Sequence, residues 1–434
     1  MSVRRFAATG LVAVVAAGLL AGCGTKQDSN AGTPGQQPSG QQPQKVTLTY
    51  WTHTHPPMVD LNKQLIAEYQ KQHTNVTIDY QIIPNNDFGT KMLTSMSTGT
   101  GPDVMNMDDS ALRASYMPKG MLAEVDPAAL GYKSLDDLKS AYVPGAFEGA
   151  IGKDGKIYGI PSEFNVTAFI INTDAFKEAN LDPNQPPKTW EQVAAMGQKL
   201  TTKDRRGFDL LYLHAGWYNN QLGTLLLQTG ANFHTPDGKS ALDKPESVKA
   251  LQIWSDMIYK AKVANPKVAS REATQPYVDF ANGKVAMTMM NPWGLASFKG
   301  TPIEGKYKVV PMPQVDPAKP VNPFYAYYWA VNGQSKVKSE AFKFIAYMSS
   351  QGGRWLKDVN FIQPKTGWEK QSEAKDVPFF DVWAAEMLHG KFMQSTSPEE
   401  KDIIKAAIER AVLNGEDPTK SFTQAKGEVD KTMQ

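Results

Sequence analysis

The chain has 434 residues, with 46 lysine and arginine residues against 44 aspartate and glutamate residues. A charge balance this close to neutral argues against nucleic acid as a partner, because nucleic-acid binding needs a basic face, and it provides no polybasic membrane patch. The single cysteine excludes an internal disulfide and a cysteine-based metal site. His53 and His55 flank Thr54, but two prolines follow and no third ligand is near, so we interpret the pair as loop residues and expect no metal or cofactor.

The N-terminal region predicts an exported and anchored protein. A basic start and an apolar run from Phe6 to Ala21 fit a secretory signal over residues 1–22, since the run is too short for a membrane span. The run ends in Leu-Ala-Gly-Cys, which resembles the lipobox of bacterial lipoproteins and implies cleavage before Cys23 and lipidation of its thiol. Residues 23–44 are mostly small and polar, as in a flexible linker. The alternative is a simple membrane anchor with an incidental cysteine.

From Lys45 onward the sequence alternates between strand and helix patterns. Strands are predicted over residues 46–51, 76–83, 103–108, 168–172, 285–290, 307–310 and 324–331. Amphipathic helices are predicted over residues 58–73, 88–97, 190–200, 222–228, 247–260, 340–349 and 403–412. This alternation favours right-handed crossovers and mostly parallel sheets covered by helices. A folded body of about 390 residues is long enough for two domains.

Several motifs follow one another in a fixed order along the folded body. They are Ser97-Thr-Gly-Thr-Gly-Pro-Asp-Val, Tyr116-Met-Pro-Lys-Gly-Met-Leu-Ala-Glu-Val, Tyr158-Gly-Ile-Pro followed by Asn172-Thr-Asp-Ala-Phe, Pro186-Pro-Lys-Thr-Trp-Glu, Gly283-Lys-Val-Ala-Met-Thr-Met-Met-Asn-Pro-Trp and Trp329-Ala-Val-Asn-Gly-Gln-Ser-Lys. Together they resemble the extracellular solute-binding proteins of ABC importers, in the sugar-binding group that includes the maltose-binding proteins. Each motif is weak alone, and their order over nearly all of residues 45–434 carries the resemblance.

The resemblance implies an α/β fold of the two-lobed, periplasmic-binding-protein-like kind, with a hinge between the lobes. Each lobe is expected to be a mostly parallel sheet flanked by helices. Lobe one would comprise residues 45–159 plus 310–362, and lobe two residues 160–309 plus 363–434. Open α/β sheets bind ligands at the carboxyl ends of their strands, so the ligand is expected in the cleft between the lobes.

The resemblance also implies a function without chemistry. The protein would close on a small solute, either a monosaccharide or an oligosaccharide, and deliver it to the transmembrane subunits of an ABC permease. We expect a monomer anchored by lipid to the outer face of the bacterial cytoplasmic membrane. A receptor for a non-sugar solute and a structural lipoprotein or adhesin stay open. A glycosidase built on Asp108, Asp109 and Glu163 is a further alternative, although no nucleophile elbow, phosphate loop or metal box is present.

Aromatic side chains that could cover the apolar faces of a sugar are the first set of site candidates. They are Trp293, Trp217, Tyr218, Tyr325, Tyr327 and Trp51. Trp293 ranks first because it matches the family's stacking tryptophan, with a core position as the alternative. Tyr218 and Trp217 could equally be interior or interlobe aromatics. Tyr325, Tyr327 and Trp329 share one side of a predicted strand, so one of the three could reach the ligand while the others pack.

Polar side chains that could bind sugar hydroxyls form the second set. They are Asp108, Asp109, Glu163, Asn165, Asn85 and Asp87. For Asp108 and Asp109 a helix N-cap is the alternative role. For Asn85 and Asp87 a plain turn is the alternative.

Overall fold

The structure is a computed structural model that describes residues 44–209, 218–235, 237–265, 275–394 and 396–432. Residues from Lys45 onward form one compact unit. The predicted signal, Cys23 and nearly all of the predicted linker lie outside the described residues. Within the described ranges, no helix has both the length and the apolar character that crossing a membrane requires.

The strands and helices in the described ranges follow the predicted alternation. The strands are β1 (Val46–His53), β2 (Val76–Ile83), β3 (Val104–Asp108), β4 (Ile160–Val166), β5 (Ala168–Asn172), β6 (Met287–Met290), β7 (Tyr307–Val310), β8 (Asn322–Val331) and β9 (Gly390–Lys391). The helices are α1 (Pro56–Gln72), α2 (Asn85–Ser97), α3 (Asp109–Ala111), α4 (Leu135–Ser140), α5 (Thr173–Glu178), α6 (Trp190–Leu200), α7 (Tyr218–Thr229), α8 (Pro245–Tyr259), α9 (Gln275–Ala281), α10 (Lys338–Ser349), α11 (Gly352–Arg354), α12 (Phe380–Met387), α13 (Pro398–Asn414) and α14 (Pro418–Thr432).

Local sequence accounts for where several helices begin and end. Thr189 caps α6 by accepting a hydrogen bond from the Gln192 amide, and the helix bounds match the prediction. Helix α13 starts with a capping box in which Ser397 and Glu400 satisfy each other's backbone amides. The same helix ends at Gly415, whose φ of 68° is a left-handed conformation that glycine adopts without steric cost.

The strands form two sheets. Sheet 1 has the order β2-β1-β3-β8-β4, with β9 paired to β8, and sheet 2 has the order β6-β5-β7. Strand β1 is parallel to β2 and β3, whereas β8 is antiparallel to β3 and β4. In sheet 2, β5 is antiparallel to both neighbours.

These strand directions differ from the mostly parallel sheets that were expected. Strands β1, β2 and β3 follow the parallel crossover pattern, and the two-residue strand β9 is parallel to β8. The difference arises because β8 comes from far along the chain and enters between β3 and β4 in the opposite direction.

The chain passes between the two sheets at two short connectors. Thr167 alone separates β4 of sheet 1 from β5 of sheet 2, and residues 311–321 lead from β7 back to β8. Helix α12 packs against β4, β5 and β8, so it lies across these passages. The predicted lobe boundaries stay a prediction. Strand β4 begins directly after the predicted boundary at residues 159/160 and pairs with β8 in sheet 1.

Candidate functional site

The register of β8 brings predicted site residues together beside the first connector. Tyr327 on β8 lies opposite Asp108 on β3 and opposite Glu163 on β4. Tyr325 lies opposite Asn165 in the same ladder, although the side chain of Tyr325 lies outside the described part of the structure. Residues directly opposite each other project from the same face of a sheet, so this ladder groups carboxyl and amide groups beside an aromatic ring.

Glu163 and Asn165 form a buried polar pair on β4. Glu163 is 2% exposed and Asn165 is fully buried, and the Asn165 amide nitrogen donates a hydrogen bond to Glu163 Oε1. Burial raises the pKa of Glu163 to about 8, although this hydrogen bond acts in the opposite direction. The Asn165 Oδ1 atom has no hydrogen-bond partner among the described residues. At neutral pH the pair therefore presents a protonated carboxyl group and a free amide oxygen.

His53, the last residue of β1, joins this group through its ring. The imidazole stacks on the Tyr327 ring with centroids 5.0 Å apart and meets the edge of Phe88 from α2 at 5.8 Å. Burial lowers the pKa of His53 to about 4, and nearby His55 acts in the same direction. The ring is therefore neutral at physiological pH, and it keeps one nitrogen as a hydrogen-bond donor and the other as an acceptor.

Trp293 lies where the two sheets meet. It sits in the 3₁₀ helix Pro292–Phe298 that follows β6 of sheet 2, and its ring is half-buried. Its centroid is 5.7 Å from Tyr277 and 6.1 Å from His55, the residue that caps α1 after β1 of sheet 1. His55 in turn stacks on Phe361 at 5.2 Å, and burial lowers the pKa of His55 to about 4.

The two adjacent acids at the junction of β3 with α3 have structural roles. Asp108 accepts a hydrogen bond from the Ala111 amide at 2.9 Å, so it caps α3. Asp109 pairs with Arg113 at 2.6 Å and is 7% exposed. Burial raises the pKa of Asp109 to about 6, while Arg113 acts in the opposite direction. Both acids occupy the capping region that we considered as their alternative role, and Asp108 alone remains half-buried beside Tyr327.

The other aromatic candidates are held inside the protein or lie outside the described part. Tyr218 is 1% exposed and its hydroxyl donates to the Lys401 carbonyl at 2.9 Å, so it joins α7 to α13 in the core. Trp51 is also buried, with Lys91 Nζ 5.1 Å from its ring centroid. Trp217 lies outside the described residues. We leave Tyr218 and Trp51 out of the proposed ligand contacts.

Asn85 and Asp87 form the first turn of α2 and are exposed. An exposed first turn is an ordinary position for such residues, because its backbone amides are free and a nearby acidic side chain is stabilised there. Neither residue takes part in the ring contacts around His53, although Phe88 of the same helix does.

The ring contacts of His53, His55, Tyr277 and Phe361 around Tyr327 and Trp293 were not predicted from the sequence. The histidines were weighed only as metal ligands, and within the described residues no group of three metal-ligating side chains occurs. The available signal was the position of His53 at the carboxyl end of β1 and of His55 just beyond it, since ligands bind at the carboxyl ends of strands in open α/β sheets. Nothing in the local sequence placed Tyr277 or Phe361 beside Trp293 and His55.

A family comparison identifies the class of protein. The sequence profile of the family described as "bacterial extracellular solute-binding protein" matches residues 56–355, well over half of the chain. The chain belongs to this family. Its members bind solutes, which confirms the prediction of a binding protein rather than an enzyme. The resemblance to extracellular solute-binding proteins is therefore confirmed.

Curated relatives are distant. Binding proteins from Brucella abortus are 24% identical over 256 residues, which cover 56% of this chain and 57% of the relatives. The match therefore spans little more than half the length of those relatives. The sn-glycerol-3-phosphate-binding periplasmic protein of Rhizobium meliloti is 24% identical over 424 residues, covering 88% of this chain and 92% of that protein.

Solved structures share the fold across nearly the whole folded body. A solute-binding protein of Thermotoga lettingae bound with alpha-D-tagatose gives a TM-score of 0.78 at 21% identity, covering 89% of this chain and 100% of that one. The maltose-bound MalE3 of T. maritima gives 0.78 at 18% identity, covering 89% of this chain and 99% of that one. At these identities the likeness shows the two-lobed fold alone.

Proposed function

We propose that this solute-binding protein captures a neutral polyhydroxylated solute, a sugar or a sugar alcohol, between the two sheets and delivers it to an ABC permease. The observation that carries this proposal is Trp293, a half-buried ring that follows sheet 2 and lies 6.1 Å from the ring of His55, which follows β1 of sheet 1. A large aromatic surface at the meeting point of two lobes suits a ligand that both lobes enclose.

The chemistry of the site matches such a solute. Sugars have apolar C–H faces, which flat rings such as Trp293 and Tyr327 cover, and hydroxyl groups, which both donate and accept hydrogen bonds. The protonated Glu163 carboxyl can donate to a hydroxyl oxygen, and the unpartnered Asn165 Oδ1 can accept from a hydroxyl group. Glu163 and Asn165 on β4 therefore offer a sugar both a hydrogen-bond donor and a hydrogen-bond acceptor.

The charge of the site favours a neutral solute over a phosphate ester. Tagatose and maltose are bound by the two Thermotoga proteins, whereas the Rhizobium relative is named for glycerol 3-phosphate. A phosphate group is recognised by cationic side chains. His53 and His55 are uncharged at neutral pH because burial lowers the pKa of each to about 4. We therefore favour a sugar or polyol, and a phosphate ester is the alternative that the test below separates.

The anchoring and oligomeric state belong to the same proposal. The lipobox-like sequence before Cys23 supports cleavage and lipidation at that residue, which would hold the protein on the outer face of the bacterial cytoplasmic membrane. We propose that the protein acts there as a monomer, with lobe boundaries at residues 159/160, 309/310 and 362/363, and that the closed form is what the permease recognises.

A thermal-shift screen tests the proposal. The full chain is heated with a panel of sugars, sugar alcohols and glycerol 3-phosphate, and hits are measured by calorimetry. A ligand at 100 times its dissociation constant adds about 2.7 kcal/mol of stability. A shift with glycerol 3-phosphate alone would replace the sugar proposal, chemical conversion of the added sugar would show an enzyme, and no shift with any compound would favour a structural role.

The residue-level test replaces Trp293 by alanine. We expect Trp293→Ala to weaken binding of a ligand found in the screen by at least about 30-fold, corresponding to about 2 kcal/mol, with little change in unfolding temperature. Tyr259→Ala is the control, because Tyr259 is a 40% exposed ring on α8 whose hydroxyl bonds to Val412. Unchanged affinity in Trp293→Ala would remove this residue from the site.

A further inference from the structure

The buried carboxylate of Glu386 lies against the connector that leads from β7 to β8. Glu386 belongs to α12 and is 5% exposed. Its Oε1 accepts a hydrogen bond from the Met312 amide at 3.0 Å, within the connector that leads from β7 to β8. Its Oε2 accepts from the Asn322 side-chain amide at 2.9 Å, at the first residue of β8.

Asn322 extends this contact to the other connector. Its side-chain nitrogen also donates to the carbonyl of Thr167, the only residue between β4 and β5. The Asn322 backbone amide donates to the His389 carbonyl at 3.0 Å, just beyond the end of α12. One helix therefore holds the two points at which the chain passes between the sheets.

The free-energy cost of burying the Glu386 carboxylate indicates that this side chain does more than fill space. Removing a carboxylate from water is expensive unless its oxygens are hydrogen-bonded, and burial accordingly raises the pKa of Glu386. Both oxygens accept from N–H groups, which suits the ionised form. An apolar side chain would fill the same volume without this penalty, but it could not fix the directions of two backbone segments.

We propose that Glu386 is a hinge-positioning residue, which ties the Thr167 connector and the Met312 connector to α12 and so sets the balance between open and closed arrangements of the two sheets. This inference rests on the proposed function only in assuming that closure accompanies binding. Without Glu386 the connectors would bend independently, and the unliganded protein would populate a wider range of shapes.

The test uses the full chain without any ligand, so that its outcome does not depend on whether a sugar binds. Glu386→Gln keeps the size of the side chain but turns one acceptor into a donor that faces an N–H group. Asp381→Asn is the matched control, because Asp381 is an exposed acid on the same helix. Hydrogen exchange is followed by mass spectrometry in peptides that cover residues 311–322 and the junction of β4 with β5.

We expect exchange in both peptides to be at least about tenfold faster in Glu386→Gln than in the control, the size expected for one lost hydrogen bond to a charged group. Small-angle scattering should show a larger radius of gyration for Glu386→Gln. Faster exchange spread evenly over the whole chain, with an unchanged radius, would mean that Glu386 only stabilises the fold and would overturn the inference. So would unchanged exchange in both peptides.

Asn322→Ala gives an independent test if Glu386→Gln does not fold. This change removes the contact with Thr167 but leaves the bond between Glu386 and Met312 in place. Exchange should then rise at the junction of β4 with β5 and stay slow at Met312. Equally faster hydrogen exchange at both connectors would contradict the proposal that Glu386 holds Met312 while Asn322 holds Thr167.

Discussion

Replacing Glu163 by glutamine should stabilise the protein in a pH-dependent way. The pKa of Glu163 is raised from 4.5 to about 8 in the folded protein. Between these two values the folded state retains a proton that the unfolded chain releases, so stability is highest at low pH and falls as the pH rises toward 8. The free energy of unfolding should fall by about 1.4 kcal/mol per pH unit across this window.

The size of the stability difference follows from the width of the pH range between the two pKa values of Glu163. At pH 7 the folded protein bears a cost of about 3 kcal/mol for keeping the carboxyl group protonated, and at pH 5 less than about 1 kcal/mol. Glutamine has no proton to lose and still offers an oxygen to the Asn165 amide. Glu163→Gln should therefore exceed the parent in stability by about 3 kcal/mol at pH 7, and the difference should shrink toward pH 5.

Equilibrium denaturation in guanidinium chloride at pH 5, 6, 7 and 8 measures this difference. Glu369→Gln is the control, because Glu369 is exposed and the chemical change is the same. Fluorescence and circular dichroism should be recorded together to verify a single transition. A gain that is equal at every pH, or a less stable Glu163→Gln at pH 7, would refute the assignment of a buried, protonated carboxyl group.

Two further predictions concern the fold. Gly207→Ala should lower the free energy of unfolding by about 3 kcal/mol or more, because a Cβ there would lie 2.0 Å from the Gly197 carbonyl oxygen. Gly89→Ala, in open space on α2, should raise the free energy of unfolding by about 0.5–1 kcal/mol. Urea unfolding checks both, and equal stability of the two variants would contradict the close approach. Ser397→Ala should cost about 1 kcal/mol by removing the acceptor of the Glu400 amide in the capping box of α13, and an unchanged unfolding midpoint would show that the cap contributes nothing.

Local sequence was a good guide to individual elements. The bounds of β2, β5, α6 and β7 agree with the predictions, because their alternation, caps and turn residues are encoded within each segment. Strand direction was predicted less well. The antiparallel entry of β8 depends on pairing with strands far away in the sequence, and no local pattern in residues 322–331 specifies which neighbours they meet.

The site was predictable in outline only. The buried polar pair Glu163 and Asn165 lies opposite Tyr327 and Tyr325 in the β8 ladder, although contact with a ligand stays a proposal. Tyr218 illustrates the limit of composition, since an aromatic residue beside amides suits a binding cleft and a core equally well. His53 lies against Tyr327 because of the relative placement of β1 and β8, which only the folded structure defines.

The central place of β8 in sheet 1 has a consequence for how the protein is made. Asn332, just beyond β8, donates to the Pro102 carbonyl across 230 positions of the sequence. A polypeptide that leaves the ribosome and the export machinery amino end first exposes the apolar edge of β3 until β8 emerges. Such distant pairing slows folding, and an uncovered strand edge invites self-association. The nascent protein is therefore most vulnerable during secretion, before most of its length is available to complete the first sheet.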